Sequence, residues 1–453
     1  MKPTVQIALY AWPLLALALF FFLRPRRAVL ASIILGWLFL PIASIKLAPG
    51  IPEYSKTAAT CLAALLGVAI FDLPRLLSFR PRWIDLPMAL WCLCPMASSL
   101  SNDLGAFDGA SAIFRKTLTW GVPYLLGRLY FRNLACVTEL AAAIFLGGLL
   151  YMPFCLFEIR MSPQLHTWVY GFHQHEFGQS FRFGGWRPTV FMEHGLMVGM
   201  WMAMASLCGI WLWASGAMRT LFRVPMPWFL GPLLITTLLC KSLGALVLLM
   251  TGLGVLWASR ARPSRAYVLV LALLAPLYLA LRVPKIWTGR ELTEASALVS
   301  QDRSSSLRFR ITNEDMLVDR ALRRPVFGWG GWGRARVRDY SGKDISVTDG
   351  LWIIALGDEG LVGLCGMVVV FLAPLWGLFR VLPVRAWSDP RAAPSLAMCV
   401  LVLLYFLDCI LNNMNHPAYA MAIGGLTCLE IGRLKRSAKA PASAPAVTPV
   451  PGV

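Results

Sequence analysis

Apolar runs long enough to cross a bilayer recur along almost the whole chain, and this feature constrains its fold more than any other. A membrane-spanning helix needs about 20 predominantly apolar residues, or about 17 at the short end. Thirteen runs reach or approach this length. They cover residues 5–23, 28–45, 57–73, 84–100, 117–131, 134–157, 188–215, 227–240, 242–259, 266–281, 351–379, 395–411 and 417–431.

The composition excludes a soluble protein. Hydrophobic residues make up 58% of the chain and charged residues 14%, whereas soluble domains carry about 25% charged residues. Within lipid, backbone polar groups must be satisfied inside a helix or a closed barrel, and runs of this length favour helices. We therefore predict an all-α polytopic membrane protein with about 12–13 transmembrane helices and one large, partly helical periplasmic loop.

The basic residues predict an orientation. The formal charge is +19, and most of the basic groups lie in short loops, as is typical of cytoplasmic loops. If all short basic loops face one side, the N-terminus lies outside. The predicted organisation is an N-terminal transmembrane part (residues 1–281, including an outer loop 159–187), a periplasmic loop (282–350), C-terminal transmembrane helices (351–432) and a disordered cytoplasmic tail (433–453).

Several classes of partner and cofactor are not predicted. No basic stripe with interleaved aromatic residues occurs outside the loops, which argues against nucleic acid. Almost all of the 11 cysteines lie in apolar runs, and no C-x-x-C pair occurs, so neither disulfides nor a metal site is predicted. His173-x-His175-Glu176 could bind a metal ion, but a solvated loop is the favoured interpretation. We predict no cofactor.

The first candidate site residues lie where the outer segment enters the run at 188. Arg182, Arg187, Glu193 and His194 place two guanidinium groups, a carboxylate and an imidazole close together in the sequence. This set could cradle an anion and transfer a proton. The alternative is interfacial anchoring, with the arginines at the level of the lipid headgroups.

The long loop provides a second group. Arg308 and Arg310 precede a predicted amphipathic helix at 313–324. Pro325 ends this helix, and a turn-rich aromatic patch follows at 327–333. The glycines of this patch could let a ligand approach the backbone and its tryptophans could stack on sugars, but a lid held by ordinary packing is the favoured interpretation.

Acidic residues form a third group at the end of the loop. Asp349 is a candidate general base at the outer mouth of the next span, or alternatively a helix N-cap. Asp358 lies two turns further, where a carboxylate in an apolar segment normally pairs or functions. Lys241 and Asp408 lie toward the same predicted face and are further candidates.

These pieces, in this order, resemble the O-antigen ligase/polymerase superfamily of bacterial envelope glycosyltransferases. The resemblance covers roughly residues 181–371. It consists of the arginine-bearing outer segment, a serine turn at Lys241-Ser242, and Arg310 placed fifteen residues before Pro325-Val326-Phe327-Gly328-Trp329-Gly330. An Asp358-Glu359-Gly360-Leu361-Val362-Gly363 element follows the loop. The chain departs from the family pattern at Asp349-Gly350, where His-Asn is usual, and at Leu243, where an arginine is usual.

The resemblance implies transfer of a glycan from undecaprenyl diphosphate to an acceptor hydroxyl at the outer face of the bacterial inner membrane. Arg187 and Arg310 would hold the diphosphate, and Asp349 would orient or deprotonate the acceptor. Glu193 or His194 could take that role instead, or activity could have been lost. Lys241, Arg182, Arg308 and Asp358 would contribute to substrate binding.

The acceptor separates two versions of this function. The missing histidine favours polymerisation of an exported polysaccharide over ligation to lipid A core or protein. A transporter or flippase for a lipid-linked anion, or an inactive scaffold, is the alternative from another class. The predicted partners are the lipid-linked glycan, its acceptor, membrane lipids and other envelope polysaccharide assembly proteins.

Overall fold

The computed structural model describes residues 2–48, 50–182, 184–297 and 301–430. The predicted disordered tail, residues 433–453, lies outside the described residues. Within these ranges almost all regular structure is helical. The helices are α1 (Pro3–Phe22), α2 (Pro25–Phe39), α3 (Lys56–Phe71), α4 (Leu73–Leu77), α5 (Leu86–Ser101), α6 (Ala106–Lys116), α7 (Val122–Tyr130), α8 (Leu134–Met161), α9 (Leu165–Tyr170), α10 (Gly195–Ala214), α11 (Pro227–Leu239), α12 (Leu243–Ala261), α13 (Ala266–Arg282), α14 (Arg290–Ala297), α15 (Gln301–Ala321), α16 (Leu351–Val381), α17 (Ala393–Leu411) and α18 (Pro417–Thr427).

Short elements connect these helices. Three antiparallel hairpins pair two-residue strands, and single turns of 3-10 or π helix extend or join the helices. The strands are β1 (Ser44–Ile45), β2 (Tyr54–Ser55), β3 (Phe181–Arg182), β4 (Gly185–Trp186), β5 (Thr220–Leu221) and β6 (Val224–Pro225), paired in that order. The 3-10 turns are Trp83–Asp85, Phe177–Ser180 and Val384–Ser388, and the π turn is Thr117–Gly121.

The chain is an all-α, multi-pass membrane protein. In the described part of the chain, seven helices are long and apolar enough to cross a membrane: α1, α5 with its preceding 3-10 turn, α8, α10, α12, α16 and α17. Three shorter helices, α3, α11 and α13, are also apolar. Each of the thirteen predicted apolar runs contains a helix.

Some predicted boundaries were wrong. The run predicted at 117–131 is the second half of a continuous helical path from Ala106 to Tyr130, formed by α6, the π turn and α7. The polar residues of α6 hid its helical continuation from hydropathy. The loop helix predicted at 313–324 is α15, which begins twelve residues earlier at Gln301 and ends at Ala321.

Local sequence explains where many helices begin. Proline occupies one of the first two positions of α1, α2, α5, α7, α11, α17 and α18, where its missing N–H removes no helical hydrogen bond. Three of the other helices have side-chain caps: Ser55 accepts a hydrogen bond from Ala58 N, Asn133 accepts one from Cys136 N, and His194 accepts one from Leu196 N.

Contacts define two ends of the helical bundle. At the first, which we call the loop end, α13 stops and α16 begins. There, Lys56 Nζ donates to Phe191 O (2.9 Å) and Leu351 N donates to Asn412 O (3.3 Å). The opposite end, which we call the basic end, collects the arginines of short turns. Its contacts are Arg26 and Arg27 with Glu139, Arg82 and Arg132 with Glu430, Arg260 with Ala214 O, Arg265 with Phe379 O, and Arg380 with Leu429 O.

Candidate functional site

Arg310 and Asp349 form an ion pair at the loop end. Arg310 Nε lies 3.5 Å from Asp349 Oδ2, and Arg310 Nη1 donates a hydrogen bond to Leu411 O at 3.1 Å. Both charged side chains remain partly exposed, at 26% and 36%. The N-cap of α16 is Gly350, which has no side chain with which to cap the helix, so Asp349 is not the N-cap. The alternative interpretation of Asp349 as a helix cap was wrong.

The scaffold around this pair is fixed by α15. Glu314, one turn after Arg310, accepts hydrogen bonds from Tyr278 Oη (2.7 Å) and Arg282 Nη2 (3.3 Å) at the end of α13. Burial raises the pKa of the Glu314 carboxyl, while its hydrogen bond from Tyr278 and the Arg282 charge oppose that rise. Asn313 Oδ1 accepts a hydrogen bond from Val347 N at 2.8 Å, which holds the loop segment that leads to Asp349.

Arg187 lies nearly buried under the β3–β4 hairpin. Its Nη2 donates to the carbonyl of Lys241 at 3.0 Å, and its aliphatic part lies against Gly195, where a Cβ would overlap it. Lys241 adopts a positive φ of 52° in the turn between α11 and α12. Its ammonium group occupies the space that a Cβ on Gly185 would need. The outer segment and the predicted serine turn are therefore in direct contact.

His194 connects these two groups electrostatically. It is the N-cap of α10, where its Nδ1 accepts a hydrogen bond from Leu196 N at 3.0 Å, and its ring packs edge-on against His175 at 4.5 Å. Burial lowers the pKa of His194 to about 3, assisted by the positive charges of His175, Arg187, Arg310 and Arg182. The imidazole is therefore neutral at pH 7, and Arg187 and Arg310 lie within electrostatic range of it.

Two of the other predicted site residues, Glu193 and Arg308, have fewer contacts with this group. Glu193 is exposed and lies within electrostatic range of Lys56. Arg308 is exposed on α15, and two residues of helix rotate a side chain by about 200°, so Arg308 and Arg310 lie on different faces. The structure thus brings Arg187, His194 and Arg310–Asp349 together and leaves Arg308 apart from them.

Helix α16 is broken at Gly360, and residues 325–330 fill the break. Gly360 has φ 68° and ψ −161°, outside the helical region. We call residues 325–330 the strap. Carbonyls 357 and 358 accept from Trp329 N (2.8 Å) and Gly330 N (3.0 Å), while Leu361 N donates to Pro325 O at 2.7 Å. Two motifs that the sequence presents separately are therefore one hydrogen-bonded unit.

Asp358 belongs to this unit and not to the Arg310–Asp349 pair. Nine residues of helix separate it from Asp349, or about 13 Å along the axis. Its carbonyl accepts from Ser98 Oγ as well as from the strap, and the charges nearest its carboxyl are Glu359, Lys116 and Arg336. Lys116 forms an ion pair with Glu359, and each side chain is only 12% exposed. This arrangement links α6 to the break in α16.

Several residues near the site were not singled out from the sequence or were ranked low. Asp408, in the last turn of α17, accepts from Asn412 Nδ2 at 2.8 Å and lies in electrostatic range of Arg310. Asp408 was a candidate in the sequence because it is a carboxylate inside an apolar run. Lys56 carried no such signal, because Glu193 is distant from it in the sequence. His175 was considered only as a metal ligand, and its contact with the His194 ring was not expected.

No group of three or more His, Cys, Asp or Glu side chains suited to a metal ion occurs among the residues that the structure describes. His173 instead directs its Nδ1 to the carbonyl of His175. No protein-family model and no curated protein sequence matches this chain.

Proposed function

We propose that this protein is a glycosyltransferase of the bacterial inner membrane that uses an undecaprenyl-diphosphate-linked glycan at the outer face. The observation that carries the proposal is the convergence of Arg187, His194 and the Arg310–Asp349 pair at the loop end. Permanently charged arginines, a carboxylate and a neutral imidazole form a set suited to displacing a diphosphate leaving group.

The distribution of arginines supports the proposed orientation. Short basic turns collect at the end of the bundle opposite the site, and short loops rich in lysine and arginine remain in the cytoplasm. Counting α2, α3, the α6–α7 path, α11, α13 and α18 as crossings, together with the seven long helices, gives 13 spans. The loop end then faces the periplasm. In intact spheroplasts, a membrane-impermeant maleimide should label Arg338→Cys more strongly than the wild-type protein, and Arg262→Cys no more strongly than the wild-type protein.

The proposed chemistry needs no nucleotide sugar. Arg187 and Arg310 would contact the diphosphate oxygens, since a guanidinium group can bind phosphate through two hydrogen bonds. The bond between the anomeric carbon and the diphosphate breaks as the acceptor oxygen attacks, and the arginines stabilise the charge left on the lipid diphosphate. Asp349 accepts the proton of the acceptor hydroxyl.

The contact between Arg310 and Asp349 supports this division of roles. Arg310 is fixed by Leu411 O as well as by Asp349, so it can remain oriented when Asp349 turns toward an acceptor. The Nδ1 atom of His194 already accepts the hydrogen bond from Leu196 N, whereas the Asp349 side chain is 36% exposed, which favours Asp349 as the base over His194. The acceptor is proposed to be another lipid-linked glycan, so that the reaction polymerises an exported polysaccharide.

The test is performed in the native host with Arg310→Gln and Asp349→Asn. Each variant should lower the amount of long exported glycan at least tenfold and accumulate single lipid-linked repeat units at the outer leaflet. Arg290→Gln, in the same loop, is the matched control, because Arg290 is 81% exposed and pairs only with Glu294 in the described part of the chain. Monodisperse elution in detergent would verify that each variant folds.

Other outcomes assign other functions. Accumulation of long lipid-linked polymer would indicate a ligase, and accumulation at the inner leaflet would indicate flipping of a lipid-linked substrate. Unchanged glycans in both folded variants would refute the assignment of Arg310 and Asp349.

A further inference from the structure

A second cationic feature lies in the loop, at the far end of α15 from Arg310. Ten residues of α15 separate Arg310 from Arg320, or about 15 Å along the helix axis. Around Arg320 opens a cavity of about 880 Å³, within the size range of sites for small organic ligands. Its basic lining consists of Arg320, Arg323, Arg324, Arg334, Arg336 and Arg338. We call this space the arginine cavity.

The charge of the arginine cavity is poorly compensated. Among the described residues, only Arg336 of the six arginines has a carboxylate within salt-bridge distance, Asp344 at 2.9 Å. The single acidic residue in the lining, Asp319, pairs with Lys285 at 2.6 Å. Partial burial and the like charges of Arg323 and Arg324 lower the pKa of Arg320. Mutual repulsion among these groups would be relieved by an anionic ligand.

The arginines are held in place by the strap. The Trp329 ring lies 3.5 Å from the Arg320 guanidinium carbon and 4.8 Å from that of Arg324. Trp329 Nε1 donates to the carbonyl of Arg320 at 2.7 Å, and Arg324 Nη1 donates to Asn102 Oδ1 at 2.5 Å. Cation–π contacts and hydrogen bonds therefore pre-organise two of the six guanidinium groups before any ligand arrives.

The lining also indicates what kind of anion fits. One small anion cannot contact six guanidinium groups spread around a cavity of this size, so the occupant carries several negative charges. A phospholipid would in addition need an apolar surface for its acyl chains, and the only aliphatic side chains in the lining are Met316 and Val337. Trp332 is 71% exposed at the rim and offers an aromatic face of the kind on which sugar rings stack.

We infer that the arginine cavity binds an acidic oligosaccharide, through carboxylate or phosphate groups carried on successive sugars. This inference rests on the proposed function, because it takes the glycan handled at the Arg310–Asp349 site to be the molecule that extends into the cavity. It assigns the cavity to the glycan chain, and not to the diphosphate carrier.

The test measures binding without turnover. The whole protein is placed in phosphatidylcholine nanodiscs and titrated with tri-galacturonate by calorimetry, with maltotriose as the neutral probe. The test variant is Arg323→Gln/Arg338→Gln, which removes two exposed charges without a described ion pair. The control variant is Arg290→Gln/Lys343→Gln, which removes two exposed charges of the same loop outside the cavity.

We expect tri-galacturonate to bind the unvaried protein, with an affinity that falls as salt rises, and maltotriose not to bind. Each exposed ion pair is worth up to about fivefold in affinity, so the Kd of the test variant should rise about tenfold. The Kd of the control variant should change less than about twofold.

Four results would overturn the inference. They are no binding of tri-galacturonate, equal binding by the test variant, loss of binding when phosphatidylglycerol is added to the nanodisc, and tighter binding of a single-stranded oligodeoxynucleotide. The phosphatidylglycerol result would assign the cavity to lipid headgroups. If tri-galacturonate does not bind but single lipid-linked repeat units still accumulate in Arg310→Gln, only the assignment of the cavity would be refuted. Binding that persists while Arg310→Gln leaves glycans unchanged would remove the proposed function instead.

Discussion

Gly360→Ala should separate the strap from the break in α16 and so destabilise the protein. Gly360 has φ 68° and ψ −161°, a region that is essentially restricted to glycine. A Cβ at this position would overlap the carbonyl oxygen of Val326 and lie 2.6 Å from that of Pro325. These are the oxygens that accept from Val362 N (3.3 Å) and Leu361 N (2.7 Å).

Two contributions set the expected magnitude. Holding a residue with a side chain in this backbone region costs about 1–3 kcal/mol. Displacing the strap weakens two backbone hydrogen bonds, each worth about 1 kcal/mol. The free energy of unfolding should therefore fall by about 3–5 kcal/mol, which is a large fraction of the total for a typical protein.

The assay is reversible unfolding of the purified protein in mixed micelles by SDS titration, followed by tryptophan fluorescence. Gly254→Ala is the matched control, because Gly254 lies inside α12 and a Cβ there would have no neighbour within 4 Å. In a helix this change should be neutral or stabilising by up to about 1 kcal/mol. If Gly360→Ala unfolds within about 0.5 kcal/mol of the unvaried protein, the strap does not depend on the break as argued.

Two further predictions concern ionisable groups. Lys116→Met should destabilise the protein by about 3–5 kcal/mol, because it leaves the largely buried Glu359 carboxylate without its cation. A Lys116→Met/Glu359→Gln double variant should recover much of this loss in the same SDS titration. If the losses of the two single variants simply add in the double variant, the two side chains do not form a direct pair. His194→Asn should flatten the loss of stability at low pH. The pKa of His194 is lowered from 6.5 to about 3, so only the unfolded chain gains the proton in between, and stability falls as pH falls through this window. Asparagine keeps the N-cap. Burial lowers the pKa of His166 to about 4, so stability will still depend on pH to some extent in the variant. If the unfolding midpoint depends on pH between 7 and 4 as strongly in the variant as in the wild-type protein, His194 is not the group responsible.

The sequence was most informative where one local rule decided the structure. Apolar runs located the helices, and the structure has a helix within each of them. Hydropathy failed where a helix contains charged residues. Asp108, Arg115 and Lys116 belong to α6, and their charges kept this helix out of the predicted membrane span. Lys116 is in that path because Glu359, 243 residues away, pairs with it. A periodicity within one segment carries no information about such a partner.

The candidate site was predictable in the same uneven way. Arg187, His194, Arg310 and Asp349 were expected to act together from their residue types and order. Arg187 packs against Gly195, beside His194, and the Arg310 of the Arg310–Asp349 pair lies within electrostatic range of His194. The arginine cavity was not expected, since its lining comes from α15, from residues 329–338 and from Asn102. The convergence of its arginines depends on how the strap docks, which no local pattern in the sequence encodes.

The spacing between Arg310 and the strap has a structural meaning. From Arg310 to the end of α15 the helix covers about 17 Å, and from Leu351 to Gly360 the first part of α16 covers about 14 Å. At one end these helices are joined by the Arg310–Asp349 pair, and at the other by the strap in the break of α16. Two helical segments of nearly equal length, tied at both ends, fix the distance between the ion pair and the arginine cavity. Pro325 follows Arg310 by fifteen residues, and this spacing allows both contacts to form at once. A loop of the same composition without that spacing could form one contact or the other but not both.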